Sequence, residues 1–243
     1  MKTPTEAELS EQMTFLQKHL FGAKAHFDIF MGVKESWAKY IDVINSSAAF
    51  WNLTIQAHSG MSVLYLCRIY DQHDRAIHLF RFLNDIKKCT HFFNETAFKE
   101  RLKNEKGRDI EGLAKYPRDL NEKRLAEDIE FCTTTNPLVK NLVKWRNNMV
   151  VHFNYEEAIF EKKPFHEKNP LPFEDIETLI SRGFDIVNRY SALFRAQQYS
   201  ENFLSYQKGD YAFVLEHLKR YFDRDMIDSM PNPVLQERQR RRR

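Results

Sequence analysis

The sequence is poor in the residues that turn-rich or cross-linked proteins need. Its 243 residues include only 7 glycines, 8 prolines and 3 cysteines. Because leucine, phenylalanine, glutamate, lysine and arginine are plentiful instead, the composition favours helices over a β fold with many tight turns. The cysteines, at positions 67, 89 and 132, are odd in number and far apart. This spacing excludes a disulfide framework and is typical of reduced, mostly buried thiols in a cytoplasmic protein.

Long apolar segments are also missing. No run approaches the roughly 20 apolar residues that are needed to cross a bilayer. The N-terminal sequence MKTPTEAELSEQ lacks the apolar core of a signal peptide. We therefore expect a cytoplasmic protein with no membrane partner. The 42% of apolar and 29% of charged residues are those of a globular chain that buries a core.

The positive charge of the chain is concentrated at its C-terminal end. The formal net charge is +3, and the last six residues, RQRRRR, contain five arginines, so the rest of the chain is slightly negative. Such a tail can attract a phosphate backbone, or it can be a solvated, disordered end. We expect residues 1–230 to form one all-α helical-bundle domain and residues 231–243 to form the basic tail.

The stretch NPLVKNLVKWRNNMVVHF, residues 136–153, predicts a central helix. Asn136 followed by Pro137 indicates its start, because an Asx side chain caps free N–H groups and proline suits the first helical position. At about 100° per residue the apolar side chains fill one arc, and Arg146 falls within that arc. An arginine is rarely buried alone, so Arg146 needs an internal carboxylate, an oligomer interface or a bound anion.

Helical periodicity and caps predict further helices on both sides of this stretch. They are Thr5 to about Leu20, Phe27–Ile44, Ala48–Asp71, Ile77–Lys88, one capped by Asn94, Asp119–Phe131, Phe173–Gln198 and a last one around Tyr211–Phe222. The sequence after Phe153 holds three prolines and predicts a long loop that reaches Phe173.

One carboxylate stands out as a partner for Arg146. Asp71 lies three residues after Arg68 at the end of the predicted helix Ala48–Asp71, and it is the leading candidate to pair with Arg68 or with Arg146. A plain surface pair between Arg68 and Asp71 is the alternative. The nearby His73 and Asp74 lack further ligands at supporting spacing, so we expect no metal and no cofactor.

Arg146 and His152 together suggest chemistry on RNA. Histidine can remove a proton from a ribose 2′-hydroxyl, and arginine can hold the scissile phosphate with two hydrogen bonds; this cleavage requires no metal. Asn148, four residues before His152, can orient the imidazole or add a phosphate contact, whereas Asn147 is expected to project elsewhere, toward a partner. The two catalytic side chains are about 9 Å apart along a helix and diverge by about 120°, so two copies in a homodimer would line one cleft.

The sequence RNNMVVH from Arg146 to His152 resembles the motif of the HEPN superfamily, in which an arginine, often with a polar follower, precedes a histidine late in a helix. LYLCRIYDQ at Leu64–Gln72 and IHLFRFL at Ile77–Leu83 are also similar to the HEPN-like family linked to abortive phage infection in bacteria. The resemblance spans about residues 30–200. It implies a dimeric, metal-independent endoribonuclease of the toxin or phage-defence type, with Arg146 and His152 catalytic and Asn147 as the polar follower.

Two other functions stay open on the sequence alone. A catalytically inactive HEPN-like dimer would bind RNA, a nucleotide or a protein partner. A purely structural bundle would use Arg146 in a core salt bridge with Asp71. For the ribonuclease, the expected partners are single-stranded RNA and a second copy of the chain, with an antitoxin or regulatory protein as a further candidate.

Overall fold

The computed structural model describes residues 3–150, 164–201 and 205–223, with the backbone alone at 149–150 and 205–208. Within these ranges every regular element is helical and no strand is present, which confirms the all-α prediction. None of the described helices is both long and apolar enough to cross a membrane. The α-helices are α1 (Glu6–Ser36), α2 (Ile41–Ser46), α3 (Ala48–Ile69), α4 (Leu79–Lys88), α5 (Glu95–Leu102), α6 (Ile110–Ala114), α7 (Glu122–Phe131), α8 (Pro137–Trp145), α9 (Phe165–Lys168), α10 (Phe173–Arg195) and α11 (Ser205–Asp223).

Side-chain caps begin several of these helices where the sequence predicts. Glu8 N donates to Thr5 Oγ1 at 3.2 Å, and Thr5 N donates to Glu8 Oε2 at 2.6 Å, which is a complete capping box. Asn136 Oδ1 accepts from Leu138 N at 2.9 Å and begins α8 as predicted. The ring of His78 caps α4 in the same way, so this helix begins two residues later than predicted. Local hydrogen bonds thus set the helix starts.

Helix α1 corrects the prediction of two helices, one ending near Leu20 and the other beginning near Phe27. The structure has one continuous helix, Glu6–Ser36. Gly22 lies in the predicted gap, and a Cβ at this position would be 2.8 Å from the ring of Tyr65. The glycine therefore allows α3 to pack closely on α1, and it does not end the helix.

The contacts divide the chain into two compact units, and α1 and α3 contribute residues to both. The first unit takes Met1–Lys24 and Ser62–Phe203, and the second takes Ala25–Met61 and Leu204–Arg243. A single domain ending at residue 230 stays a prediction. The basic tail, residues 231–243, lies outside the described residues.

The core of the first unit is built on the buried face of α10. Tyr70 OH donates to Leu179 O at 2.7 Å, and the missing side chain at Gly183 leaves room for Leu20 of α1. Because α10 contacts both the end of α3 and α1, it holds the turn after α3 in place. The fully buried large side chains of this unit include Leu9, Met13, Leu16, Leu20, Leu66, Tyr70, Phe82, Phe98, Phe184, Tyr190 and Phe194.

A buried carboxylate ties α7 to α10. Asp128 is fully buried, and its oxygens accept from Arg182 Nη2 at 2.9 Å, Arg189 Nη1 at 2.5 Å and Tyr190 OH at 2.9 Å. An unpaired carboxylate in this position would cost several kcal/mol. Its complete pairing therefore makes Asp128 a structural link within the first unit.

The second unit has a core of its own. Its buried residues are Val33, Tyr40, Val43, Ile44, Trp51 and Leu215. Tyr40 OH donates to Glu216 Oε2 at 2.9 Å, which ties the turn after α1 to α11. His26 of α1 and His58 of α3 bring their Nδ1 atoms to 2.9 Å, and burial lowers the pKa of both rings. The pair is therefore neutral at pH 7.

Candidate functional site

The predicted central helix changes its geometry at Arg146. Helix α8 ends at Trp145, and the next turn, Arg146–Val150, is a π-helical turn. The prediction of a regular α-helix as far as Phe153 is therefore wrong from Arg146 to Val150. Because a π turn pairs residues i and i+5, the side-chain directions that follow from 100° per residue do not hold there.

The residues just before the π turn contact a segment within the predicted loop, where the structure has the short helix α9. Trp145 Nε1 donates to Asn169 O at 2.7 Å, and its indole meets the ring of Phe165 edge-on with centroids 5.6 Å apart. Lys144 Nζ lies 3.3 Å from Asn169 Oδ1. These contacts hold the last turn of α8 and so position the residue that follows it, Arg146.

Arg146 forms an ion pair with Asp71. Its Nη1 donates to Asp71 Oδ1, and its Nε donates to Asn147 Oδ1 at 3.0 Å. Of the two partners considered for Asp71, the structure brings Arg146 to it. Arg68 is exposed, with its guanidinium 5.9 Å from the ring centroid of Tyr65. Arg68 thus lies apart from the ion pair.

The turn after α3 orients the carboxylate of Asp71. Its Oδ1 also accepts from Gln72 N at 2.7 Å and from His73 N at 3.1 Å. The main-chain donors fix the position of the carboxylate. The fixed carboxylate then holds the guanidinium of Arg146 in one position. The side chains of Arg146 and Asp71 are 25% and 19% exposed to solvent. The pair that the structural alternative predicted is therefore present, and it lies at the edge of the core.

Within the described part of the chain, the guanidinium of Arg146 is held through Nε and Nη1 only. Its Nη2 has no hydrogen-bond partner among the described residues. An arginine that is already held through Nε and Nη1 is preorganised, which is what anion recognition by a guanidinium requires. In the free protein Asp71 offsets its charge, so a bound anion would share the arginine with Asp71.

The predicted supporting asparagines take different roles. Asn147, which was predicted to project elsewhere toward a partner, accepts from Arg146 Nε through its amide oxygen. Asn148 Nδ2 donates to Lys144 O at 2.8 Å, back along the helix. His152 lies outside the described residues. Its predicted interplay with Arg146 and Asn148 stays a prediction.

Cys67 lies close to the ion pair but is not a nucleophile. The thiol is buried, and its Sγ is 3.9 Å from Leu142 O. Burial raises the pKa of Cys67 to about 12, an effect that Arg146 weakens and Asp71 strengthens. The reactive form of cysteine is the thiolate, so a neutral thiol has no role in nucleophilic chemistry at pH 7. In the described ranges no three His, Cys, Asp or Glu side chains gather as a metal site.

A cavity of about 260 Å³ begins at the residue after Asp71. We call it the α4 cavity; its main lining residues are Gln72, His78, Phe80, Arg81, Asn84 and Lys88. These residues were not predicted as a site from the sequence. One signal was available, because Phe80 is the large apolar residue of α4 that lies off the buried stripe of Leu79, Phe82, Leu83 and Ile86.

A comparison with protein families finds one match that covers most of the chain. The family model described as HEPN_AbiU2, AbiU2, matches residues 6–221. Comparisons with curated proteins and with solved structures gave no match. The matched range contains Asp71, Arg146 and the position of His152. The match confirms the resemblance to the HEPN-like family that the sequence motifs indicated.

Proposed function

The chain belongs to the HEPN_AbiU2 family, and from this premise we propose that it is a metal-independent endoribonuclease of the toxin or phage-defence type. The observation that carries the proposal is the guanidinium of Arg146, which is held through two nitrogens and whose Nη2 has no partner among the described residues. The substrate is single-stranded RNA. The catalytic residues are Arg146 and His152, and a homodimer supplies two copies of each.

The reaction is an attack by RNA on its own phosphate. His152 takes the proton of a ribose 2′-hydroxyl, and the 2′-oxygen forms a bond to the adjacent phosphorus. The bond from phosphorus to the 5′-oxygen breaks, and that oxygen receives a proton. The products are a 2′,3′-cyclic phosphate and a 5′-hydroxyl. Because attacking and leaving oxygens stand in line on opposite sides of the phosphorus, one histidine as base and a second as acid suit the geometry better than one alone.

Arg146 and Asp71 have separate parts in this reaction. Arg146 donates to the non-bridging phosphate oxygens, where negative charge grows in the transition state. Asp71 does not contact the substrate; it positions Arg146 through the ion pair, as Asn147 does through Nε. Asp71 is therefore a positioning residue.

The same ion pair favours a second candidate function. An arginine whose charge is already offset by Asp71 stabilises transition-state charge less than a free one does. A HEPN-like module that binds RNA, a nucleotide or a protein without turnover is compatible with that arrangement.

Cleavage of a mixed single-stranded RNA in EDTA tests the proposal. We expect the wild type to cleave and to leave 2′,3′-cyclic phosphate ends, and we expect His152→Ala and Arg146→Ala to abolish cleavage while the oligomeric state is kept. His91→Ala, which removes an exposed histidine of the first unit, is the matched control and should cleave normally. No cleavage by a folded wild-type dimer would favour the binding module instead.

A further inference from the structure

The α4 cavity begins at the residue that follows Asp71, the ion-pair partner of Arg146. Gln72 lines the cavity and directly follows Asp71, whose Oδ1 holds Arg146. The Cα atoms of consecutive residues are about 3.8 Å apart. A group bound in the cavity therefore lies beside the residue that follows the partner of Arg146.

One wall of the cavity is aromatic. Phe80 is partly exposed, and its ring is parallel to that of His78 within 4°, with centroids 6.4 Å apart. Single-stranded RNA is commonly recognised by stacking its unpaired bases on such exposed aromatic faces. A partly exposed phenylalanine beside a cavity thus provides a stacking surface for a planar ring.

The amide groups of the cavity leave their oxygens as acceptors. Asn84 Nδ2 donates to Phe80 O at 2.8 Å, and Gln72 Nε2 donates to Cys132 O at 2.9 Å. Because main-chain carbonyls only accept, these bonds fix which end of each amide is nitrogen. Asn84 Oδ1 and Gln72 Oε1 have no donor among the described residues. The cavity therefore suits a ligand with N–H groups.

Charges around the cavity balance each other. Asp85 is almost fully buried, and its carboxylate lies 2.8 Å from Lys88 Nζ and 3.8 Å from Arg81 Nε. The exposed Asp74 also lines the cavity, so two cations face two carboxylates. A cavity without excess charge suits an uncharged planar group better than a phosphate. The phosphate site remains at Arg146.

We propose that the α4 cavity binds a nucleobase of the RNA strand whose phosphate lies on Arg146. The inference rests on the proposed function and gives it a base preference. Bases with an exocyclic amino group, namely adenine, cytosine and guanine, can donate to the free amide oxygens of Asn84 and Gln72. Uracil has a single N–H at this edge, and a carbonyl oxygen lies on each side of it. These carbonyl oxygens would face the amide oxygens of the cavity, so uracil is disfavoured.

Binding of uncleavable RNA tests the cavity without using catalysis. Fluorescence-labelled hexamers of A, C and U with 2′-O-methyl groups lack the attacking hydroxyl. We expect the full-length protein to bind the A and C hexamers about tenfold more tightly than the U hexamer. Phe80→Ala should weaken binding of the A hexamer on the order of tenfold to hundredfold, because one stacked base is lost. Asn84→Leu should reduce the preference for A over U.

Two variants control for loss of structure. Phe80→Trp keeps an aromatic face and should retain binding, whereas Tyr116→Ala removes an exposed aromatic ring elsewhere and should have no effect. Thermal melting checks that each variant is folded. Equal affinity for the three hexamers, or wild-type binding by Phe80→Ala, would overturn the inference. Adenosine monophosphate that binds as tightly as the A hexamer would overturn the assignment to an RNA strand.

The two proposals fail in different experiments. Cleavage of unmodified RNA without any effect of Phe80→Ala on binding or base preference refutes the base site alone. A preference for A and C hexamers without cleavage supports the base site and refutes the nuclease.

Discussion

Replacement of Arg146 by lysine separates its chemistry from its ion pair. Lysine keeps a positive charge for Asp71, but it loses the Nε contact to Asn147 and the planar fork that grips a phosphate. We expect the free energy of unfolding to change by less than about 1 kcal/mol. Cleavage should nevertheless fall by roughly 10²- to 10³-fold, the usual effect of removing one preorganised donor to the developing negative charge.

The exposure of the ion pair sets the expectation for Arg146→Ala. Exposed pairs contribute up to about 1 kcal/mol, whereas breaking a buried pair costs about 3–5 kcal/mol. The side chains of Arg146 and Asp71 are 25% and 19% exposed, which is an intermediate case. We expect a loss of about 1–2 kcal/mol, or a decrease in Tm of roughly 2–8 °C for a chain of this size.

Arg189→Ala is the matched control for both variants. The Arg189 side chain is 27% exposed, like that of Arg146, and its partner Asp128 is fully buried. Its removal should cost at least as much stability as Arg146→Ala and leave cleavage unchanged. Urea unfolding and initial cleavage rates, measured well below the Tm of every variant, give the two quantities. The catalytic interpretation is refuted if Arg146→Lys cleaves at the wild-type rate, or if Arg189→Ala loses as much activity.

Three further predictions address other parts of the chain. Asp128→Ala should lower the free energy of unfolding by about 3–5 kcal/mol in urea, because it leaves arginines without their buried partner. Deletion of residues 240–243 should reduce the slope of log affinity against log salt for single-stranded RNA by up to about 3; an unchanged slope would make the tail a solvated end. Cys67 should resist iodoacetamide at pH 8 in the native protein, as mass spectrometry would show. The pKa of the Cys67 thiol is about 12 in the folded protein, which is higher than that of a thiol in the unfolded chain. The protonated thiol therefore contributes to the free energy of unfolding below about pH 9. This contribution is lost as the pH rises toward 12.

Features that depend on neighbouring residues could be predicted from the sequence. The capping box of Thr5 and Glu8 and the cap at Asn136 form over three residues or fewer, so their signals are complete in the local sequence. The need of Arg146 for a partner followed from its place in an apolar arc. Asp71 was identified because it lies three residues after Arg68 at the end of the predicted helix Ala48–Asp71, and the structure places it on Arg146.

Features that depend on distant residues could not be predicted. The continuity of α1 at Gly22 reflects packing against Tyr65, which no local pattern reports. The end of α8 is held by Asn169, 24 residues after Trp145. The acceptor character of the α4 cavity depends on the contact of Gln72 with Cys132 O, 60 residues away. Such contacts exist only after the helices have packed.

The π turn also bears on how the length of this helix can vary during evolution. Loss of one residue from an α-helix normally rotates everything beyond it by about 100°. The turn at Arg146–Val150 already contains a surplus residue relative to an α turn. A one-residue deletion there would return the turn to α form and leave α8 and its contact with Asn169 unchanged. The number of residues between Arg146 and His152 can therefore decrease by one while α8 keeps its structure.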